Sequence, residues 1–290
     1  HRLGRGVRGR HSFDSAAAVM KRTSWTGEII LAVSMVIIAL PVLWMVITSL
    51  NSPREIISRG YEFSLTNFEQ LFEPGSVIGV QLLNSGIIAI STMLISLAVA
   101  SLAAYSLSCL GWSGVTTGIL LTLSALIQFI PPMTLVPGLY VVLEQLGLLN
   151  SLPGLILLNV LFNLPFATLM LKVYFDGLPP AIRESGLVDG ASEARIFWSL
   201  ALPLVRPGLA AVGIYVLIMA WNEFLMGLTM TTGGSSAPIT VGIASLVQPQ
   251  EITYGPMAAL GSLTVVPVIL LAIVANRQII AGLTGGAIKG

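Results

Sequence analysis

Residues 177–205 read GLPPAIRESGLVDGASEARIFWSLALPLV and separate two strongly apolar parts of the chain. The pair Pro179-Pro180 ends the helix before it and can begin a new one, because proline is tolerated in a first helical turn. We therefore predict a short helix over residues 181–188 and a turn over residues 189–192. We call residues 177–205 the helical insert.

A second short helix is predicted over residues 194–201 of the helical insert, ended by Pro203. Ser192 precedes it and suits a helix start, because its hydroxyl can accept a backbone N–H. The apolar residues of this helix share one face by three- and four-residue spacing, namely Ile196, Phe197 and Leu200. The helical insert is thus a helix–turn–helix with an apolar face available to a partner. The alternative is an amphipathic surface segment that meets no partner.

The composition of the whole chain is strongly apolar. Of its 290 residues, 55% are hydrophobic and 9% are charged, whereas about a quarter of the residues of a soluble domain are charged. So few charges cannot cover the surface of a soluble protein. The composition therefore excludes a soluble enzyme or a nucleic-acid-binding domain and predicts a polytopic membrane protein.

Six stretches of the chain are long and apolar enough to cross a bilayer, which takes about 20 residues. They are residues 29–50, 80–110, 118–143, 155–175, 207–230 and 258–276. We expect Pro131-Pro132 and Pro165 to break or kink the third and fourth stretches. The pattern predicts an all-α membrane protein with six transmembrane helices.

The basic residues indicate the orientation of these spans. With the N-terminus in the cytoplasm, twelve of the 14 Lys and Arg residues fall on the cytoplasmic side. The other two, Arg54 and Arg59, fall in the first outer loop. By the positive-inside rule, both termini and the helical insert are expected in the cytoplasm.

The residues needed for common catalytic and metal-binding chemistry are scarce. Cys109 is the single cysteine, and the only histidines are His1 and His11 near the N-terminus. A His-dependent triad or a multi-cysteine metal site is therefore not expected. The chain also has no G-x-x-x-x-G-K-[ST] motif, which is the phosphate-binding loop of many ATPases. We expect no catalytic residue, no metal site and no cofactor bound by this chain.

Fixed positions at long offsets in the helical insert resemble the EAA signature of ABC importer permeases. That signature is E-A-A, three residues, G, nine residues, then I/L-x-L-P, and it is matched by Glu184, Gly190 and residues 200–203. Ser185 and Gly186 stand where the signature has alanine. Because glycine costs a helix about 1 kcal/mol relative to alanine, we expect a weaker first helix.

Four other stretches resemble the carbohydrate group of these permeases. Residues 221–224 are similar to its W-N-[DE]-F element, and residues 41–50 to its P-x-x-W-x-x-x-x-S-L pattern. Residues 64–72 are similar to T-x-x-N-[YF]-x-x-[LI]-F, with serine in place of threonine. Residues 282–290 resemble the G-L-T-x-G-A-x-K-G tail of the maltose-G-type subunit. On these motifs the chain is identified as a member of the permease subunits of carbohydrate-uptake ABC importers.

The resemblance implies a type I ABC importer permease fold, with six transmembrane helices and a cytoplasmic coupling helix–turn–helix. Residues 1–23 are expected to be a disordered cytoplasmic extension on separate grounds, since they are rich in arginine and Met20-Lys21-Arg22 is a more natural start. A six-helix permease domain over residues 24–283 follows, with the helical insert as its coupling loop. Residues 284–290 are then a cytoplasmic C-terminal tail.

The same resemblance implies a function and partners. The chain is expected to be a non-catalytic subunit of an ATP-driven, binding-protein-dependent importer of di- or oligosaccharides or related polyols, forming half of the translocation pathway. Its expected partners are a second homologous permease, two ATPase subunits that bind ATP and Mg, an extracytoplasmic sugar-binding protein and membrane lipid, but no nucleic acid. The expected location is the bacterial cytoplasmic (inner) membrane.

Two sets of ATPase-contacting residues follow from the resemblance. The coupling residues are expected to be Glu184, Ser185, Gly186, Asp189, Gly190, Ile196, Phe197, Leu200 and Pro203. Glu184 would pair with a basic residue of the ATPase, Gly190 would allow a tight turn, and the apolar face would dock. The tail residues expected to reach between the ATPase subunits are Thr284, Gly285, Gly286 and Lys289. The alternative for the tail is a frayed end.

Polar residues within the predicted spans are candidates for the substrate path, because such residues are costly in a membrane and need a reason. They are Trp221, Asn222, Glu223, Asn84, Gln128, Asn159 and Asn163. An aromatic ring beside amides suits a sugar, which offers an apolar face and hydroxyls. The alternative is that these amides bond neighbouring helices.

Two further alternatives stay open at the level of the sequence. One is a self-sufficient secondary transporter or channel, for which Glu223 would be the only acidic group deep in a predicted span. The other is an ABC permease for a non-sugar solute such as glycerol phosphate or a polyamine. The sequence does not choose the cargo.

Overall fold

The computed structural model describes residues 25–232, 235–247 and 253–287, of which residues 274–287 are described as backbone only. Within these ranges the chain is helical, with one isolated antiparallel bridge between Asn51 and Phe63 and no strand. The helices are α1 (Trp25–Ser49), α2 (Pro53–Ser58), α3 (Thr66–Leu71), α4 (Ile78–Cys109), α5 (Gly114–Phe129), α6 (Pro132–Gln145), α7 (Leu152–Asp176), α8 (Pro180–Val188), α9 (Glu193–Ile196), α10 (Leu202–Leu204), α11 (Arg206–Trp221), α12 (Leu225–Met230), α13 (Ile239–Ser245) and α14 (Tyr254–Ala287).

Four of the described helices are long and apolar enough to cross a membrane, namely α1, α4, α7 and the part of α14 that covers Tyr254–Ile273. Two bent pairs also qualify when each pair is taken together: α5 with α6, bent by 99°, and Glu193–Leu204 with α11, bent by 78°. The described part of the chain therefore holds four to six candidate spans. A predominantly helical membrane protein is confirmed, and the number six stays a prediction.

The breaks between helices follow the prolines only in part. The predicted break at Pro131-Pro132 is confirmed, since α5 ends just before this pair and α6 begins at its second residue. Pro165, in contrast, lies inside α7, which continues past it. α7 packs along α4 in the most extensive contact between any two described helices. Neighbouring helices can support a proline within a membrane helix, so Pro165 does not break α7.

The predicted fifth span, residues 207–230, is wrong in its second part. α11 ends at Trp221, and a new helix, α12, begins only at Leu225. The residues between them include Glu223, whose carboxylate accepts backbone N–H groups of α12. A carboxylate is favourable at a helix N-terminus. The chain therefore breaks at a polar cap, with neither proline nor glycine in the break.

Small side chains bring the long helices close together where α4, α7, α11 and the helical insert meet. Ala100 and Ala104 of α4 and Ala167 of α7 are fully buried there. Small residues let membrane helices approach closely, which strengthens their packing. Phe175 and Phe197 belong to the same buried cluster and lie between α7 and the helical insert. The insert is therefore part of the core and not a free loop.

α1 lies largely outside this core. Among its residues only Ser49 is buried, and Trp44 is 68% exposed. α1 approaches α14 closely at Gly261, where an added Cβ would lie 2.8 Å from the sulfur of Met45. Apolar exposure is acceptable in a bilayer, because lipid tails are as apolar as leucine. α1 thus presents an apolar surface suited to lipid or to another membrane helix.

The segment that joins α1 to α4 is folded around one buried amide. Asn67 of α3 is fully buried, and its Nδ2 donates to the carbonyl oxygens of Ser49 at 3.0 Å and Asn51 at 2.7 Å. Buried polar groups are normally hydrogen-bonded in this way. Asn67 is the asparagine of the family-like stretch 64–72, so this residue holds the loop to the end of α1.

Candidate coupling and translocation sites

The first half of the helical insert folds as predicted. α8 covers Pro180–Val188, and the turn after it places Gly190 at φ +76°. Glycine adopts this left-handed conformation without strain. Glu184, Ser185 and Asp189 are all exposed in this half of the insert. Their side chains are therefore accessible to another protein.

The second half of the insert differs from the prediction. α9 is a single turn, capped by the Ser192 hydroxyl, which accepts the N–H of Arg195 at 3.3 Å. The chain then widens into a π-helical turn over Phe197–Ala201 and continues into α10. Pro203 therefore does not end the helix. It lies in the first turn of α10, where a missing N–H is tolerated.

Ile196 and Phe197, which were expected to dock on the ATPase, are buried within the chain itself. Their side chains are only 1% and 2% exposed. The Phe197 ring lies 5.2 Å from the ring of Tyr105 in α4, so it packs inside the chain itself. Helical spacing identifies which side chains share a face, but it does not say what covers that face.

Other apolar side chains of the insert, which helical spacing did not indicate, are exposed. They are Leu187, Val188, Trp198 and Leu204, and Leu200 is also exposed. Val188 is 87% exposed directly before the turn, and Trp198 is 63% exposed in the π-helical turn. The pair Leu187-Val188, immediately before a polar turn, was the available sequence signal. These side chains leave apolar area exposed on the insert.

Gly186 lies where α8 meets the second half of the insert. It is buried, and a Cβ added there would lie 2.9 Å from Cγ1 of Ile196 and 3.2 Å from Cδ1 of Leu200. A contact of 2.9 Å is too short for a real Cβ atom. The glycine that departs from the EAA signature therefore provides space for Ile196, in addition to its expected effect on helix propensity.

A cluster of three polar side chains, which we call the polar bridge, joins the insert to α4. Glu193 of α9 accepts hydrogen bonds from the Tyr105 hydroxyl at 2.9 Å and from Arg183 Nε at 3.3 Å. It also forms an ion pair with Nη2 of Arg183. The hydrogen bond from Arg183 holds the pKa of the Glu193 carboxyl below its usual value. Motif and spacing do not reveal this cluster, because Tyr105 lies 88 residues before Glu193 in the chain.

A cavity of about 250 Å³ lies among α5, α7 and the break after α11. Most of its lining is apolar, and we call it the polar cavity after the four polar side chains in its wall. Four of the seven predicted substrate-path residues line it, namely Gln128, Asn159, Asn163 and Glu223. Pro132, at the start of α6, and Phe162 also contribute to its wall. The break between α5 and α6 therefore borders this cavity, and the structure brings together amides, a carboxylate and an aromatic ring.

Two of these amides keep their oxygens free for another molecule. Asn159 Nδ2 donates to the carbonyl of Leu155 at 2.9 Å, and Asn163 Nδ2 donates to the carbonyl of Asn159 at 2.8 Å. Both bonds lie within α7, so these amides do not link neighbouring helices as the alternative had it. Neither side-chain oxygen accepts a hydrogen bond within the described part of the chain. Each can accept one from a hydroxyl in the cavity.

Glu223 has a structural role as well as a place in the cavity wall. Its Oε1 accepts the N–H of Met226 at 2.6 Å, and its Oε2 accepts the N–H of Gly227 at 3.1 Å. Its backbone carbonyl accepts the hydroxyl of Thr240 at 2.7 Å. The residue thus caps α12 and joins it to α13.

The other three predicted substrate-path residues do not line this cavity. Asn84 Nδ2 donates to the carbonyls of Ser235 at 2.7 Å and Ala237 at 3.0 Å. Trp221 is buried, and its Nε1 donates to the carbonyl of Thr264 at 3.2 Å. Asn222 is exposed and bonds within α11. Asn84 and Trp221 therefore bond to other segments of the chain, which is the alternative role considered for these polar residues.

The predicted tail contacts cannot be placed in the same detail. Thr284, Gly285 and Gly286 belong to the backbone of α14, whereas Lys289 lies outside the described residues. The predicted N-terminal extension, residues 1–23, also lies outside them. The roles of both ends stay predictions.

A set of apolar helices, a folded insert with exposed signature residues and a polar cavity between helices together define the membrane component of a transport system. The chain belongs to the family of binding-protein-dependent transport system inner membrane components, whose pattern matches residues 96–281. This membership replaces the alternative of a self-sufficient transporter or channel.

Individual relatives are similar over nearly the whole chain. The diacetylchitobiose uptake system permease protein NgcG of Streptomyces coelicolor is 32% identical over 281 residues, which cover 95% of this chain and 92% of that protein. The trehalose/maltose transport system permease protein MalG of Thermococcus litoralis is 32% identical over 269 residues, covering 90% and 96%. The fold is also similar to a chain of a bacterial ABC transporter involved in the import of the acidic polysaccharide alginate, with a TM-score of 0.75, 16% identity and coverage of 94% and 99%.

Proposed function

We propose that the chain is a permease subunit of an ATP-driven, binding-protein-dependent importer of di- or oligosaccharides or related polyols. The observation that carries this proposal is the full-length similarity to two sugar permeases, each 32% identical. The chain forms half of the translocation pathway, and a second homologous permease forms the other half. Two separate ATPase subunits bind ATP and Mg and supply the energy, and an extracytoplasmic binding protein delivers the sugar.

In the proposed topology the chain crosses the bacterial cytoplasmic membrane six times, through α1, α4, the pair α5 and α6, α7, α11 and α14. Both termini and the helical insert lie on the cytoplasmic side. The distribution of Lys and Arg supports this orientation, since twelve of 14 fall on that side. The outward apolar surface of α1 meets lipid or the partner permease.

Coupling to the ATPase is assigned to the exposed part of the helical insert. Glu184 meets a basic residue of the ATPase, and Gly190 permits close approach at the turn. The exposed side chains of Val188 and Trp198 supply the apolar contacts that the buried Ile196 and Phe197 cannot. Residues 284–290 reach the ATPase as a second contact, through Thr284, Gly285, Gly286 and Lys289.

The polar cavity is proposed as part of the sugar path. The free oxygens of Asn159 and Asn163 accept hydrogen bonds from sugar hydroxyls, and Gln128 can donate or accept. The ring of Phe162 offers an apolar surface for a sugar face. Glu223 supports this wall mainly by holding α12 in place.

The decisive experiment is reconstitution of the chain with its partner permease and ATPase subunits in proteoliposomes. ATP hydrolysis is measured with the binding protein loaded in turn with disaccharides, oligosaccharides, polyols, glycerol phosphate and a polyamine. We expect stimulation by a sugar or polyol, and loss of uptake in Glu184→Ala while the protein remains in the membrane. Stimulation by glycerol phosphate or polyamine alone would contradict the sugar assignment, and normal uptake by Glu184→Ala would contradict the coupling role.

A further inference from the structure

The polar bridge connects three separate helices through one carboxylate. Arg183 lies on α8, Glu193 begins α9, and Tyr105 lies near the end of α4. Oε2 of Glu193 accepts two hydrogen bonds, one from the Tyr105 hydroxyl at 2.9 Å and one from Arg183 Nε at 3.3 Å. None of the three residues occupies a fixed position of the EAA signature. The EAA signature therefore does not explain why these three residues are present.

The Tyr105 ring is held from two further sides. Its centroid lies 5.7 Å from that of Phe175 in α7 and 5.2 Å from that of Phe197 in the π-helical turn, both in edge-to-face geometry. Tyr105 is only 5% exposed. Such aromatic packing fixes the direction of a side chain. The hydroxyl of Tyr105 is therefore a fixed attachment point for Glu193 and not a mobile contact.

The two halves of the insert are also in contact through apolar groups. Gly186 of α8 lies against Ile196 of α9, at a separation that leaves no room for a Cβ. Arg183 and Glu193 connect the same two helices by charge. The insert therefore has a polar and an apolar attachment between its halves. The polar one continues to α4 as the hydrogen bond with Tyr105, and the apolar side continues to it as the packing of Phe197 on the Tyr105 ring.

We propose that Glu193 is a positioning residue for transport, which makes the helical insert and α4 move as one rigid body. The inference rests on the proposed function, in which the ATPase pushes on the exposed face of α8 near Glu184. A displacement of α8 passes through Arg183 to Glu193 and from there to Tyr105 in the membrane helix. Glu193 itself contacts neither nucleotide nor sugar.

A purely structural role for Glu193 makes a different prediction. If the polar bridge only stabilised the fold, its loss would reduce the amount of assembled complex, and each assembled complex would still import sugar normally. If the polar bridge transmits motion, assembled complexes would hydrolyse ATP without importing the matching amount of sugar. The number of ATP molecules hydrolysed per sugar imported therefore separates the two roles.

The test uses the full reconstituted complex with Glu193→Gln and Tyr105→Phe, each normalised to assembled complex. We expect both variants to raise the ATP consumed per imported sugar by about fivefold, the order expected when a partly exposed charged hydrogen bond is lost. The KM for ATP should not change. The matched control is Asp176→Asn, which removes the pair with Lys172 at 2.8 Å within α7 alone and should leave the ratio unchanged.

A charge exchange provides a second measurement if a single variant assembles poorly. Arg183→Glu combined with Glu193→Arg restores an ion pair between α8 and α9, and Tyr105 can accept from the new arginine. We expect this double variant to recover at least half of the lost coupling. A wild-type ratio in Glu193→Gln complexes, or an unaltered ratio with reduced assembly only, overturns the inference. A wild-type complex whose ATPase ignores sugar-loaded binding protein overturns the proposed function as well, so the two failures are distinguishable.

Discussion

Residue 186 sets the distance between the two halves of the helical insert. Its hydrogen atom faces Ile196, and the next larger side chain would place a carbon 2.9 Å from Cγ1 of that residue. From the sequence, Gly186 appeared only as a departure from the EAA signature that weakens a helix. The neighbour that gives this glycine its role is ten residues away and depends on the turn at Gly190. Propensity alone could not reveal it.

Gly186→Ala is therefore expected to destabilise the protein. Alanine improves helix propensity by about 1 kcal/mol, but overpacking of this kind costs about 1–3 kcal/mol. We expect a lower Tm for the purified subunit complex, measured by thermal unfolding in detergent. In an Ile196→Ala background, which removes the shortest contact and leaves only the 3.2 Å contact with Leu200, the same substitution should lower the Tm much less.

The control for this prediction is another glycine inside a helix. A Cβ at Gly118 of α5 meets nothing within 4 Å. Gly118→Ala should therefore leave the Tm unchanged or raise it slightly. Equal destabilisation by Gly118→Ala and Gly186→Ala would show that the contact with Ile196 is not the cause.

At the scale of the element, the helical insert shows what the spacing of apolar residues can predict and what it cannot. The spacing of Ile196, Phe197 and Leu200 predicted one apolar face, whereas the structure buries Ile196 and Phe197 and leaves Leu200 exposed. The spacing did not indicate that most of this face packs against Tyr105 and Phe175 of the same chain. Burial of an apolar side chain is favourable against any apolar surface, so a pattern along one helix cannot identify the surface that covers it.

Substitutions of two adjacent residues of the π-helical turn should accordingly affect different properties, namely stability and ATPase binding. Phe197→Ala removes a buried ring, and we expect a loss of about 3–5 kcal/mol in stability. Trp198→Ala removes a ring that is 63% exposed, so the Tm should stay near the wild-type value while binding of the ATPase subunits weakens. Thermal unfolding and co-purification of the ATPase measure the two effects separately.

This pair of variants also tests the orientation of the insert. If Trp198→Ala lowered the Tm as much as Phe197→Ala, Trp198 would have to be buried within the chain. If it left ATPase co-purification unchanged, the exposed apolar side chains of the insert would not be docking contacts. Val188→Ser, at another exposed position, is expected to act like Trp198→Ala.

The break between α11 and α12 is a second feature of an element that the sequence did not predict. Hydropathy predicted a continuous span through residues 207–230, because a short break hardly changes the average over a window. The break carries neither proline nor glycine, and it is stabilised by Glu223 bonding to the backbone of Met226 and Gly227. The break at Pro131-Pro132 was predictable, since proline cannot donate the backbone hydrogen bond that a continuous helix requires.

At the scale of the whole molecule, the fold class could be predicted because the bilayer requires long apolar segments. The places where these segments meet depend on three-dimensional packing. Of the predicted polar residues, Asn159 and Asn163 reach a shared cavity, whereas Asn84 bonds to the backbone of a segment about 150 residues later in the chain. Residue type alone could not separate these two groups.

Two asparagine substitutions should therefore give different results. Asn163→Ala removes an acceptor from the cavity, and we expect the KM for sugar uptake to rise about fivefold, as for the loss of one hydrogen bond, with an unchanged Tm. Asn84→Ala leaves the carbonyls of Ser235 and Ala237 without their donor, at a cost of about 1–3 kcal/mol. Here the Tm should fall, and the KM of the folded fraction should stay the same.

The measurements are uptake by proteoliposomes over a range of loaded binding protein and thermal unfolding of the same preparations. A lower Tm without a change in KM for Asn163→Ala would assign this amide to the fold and not to the sugar path. An increased KM for Asn84→Ala would place this residue in the path, contrary to its bonds in the structure.

The close contact at Gly186 has a consequence for how this protein and its relatives diverge. The side chain of Ile196 occupies the space that a Cβ at residue 186 would need. Residues 186 and 196 are therefore not free to change independently. A lineage that acquires alanine at 186 is expected to carry a smaller side chain at 196, and a lineage with glycine at 186 can retain isoleucine there. The two positions should thus appear as a covarying pair, even though only residue 186 belongs to the signature.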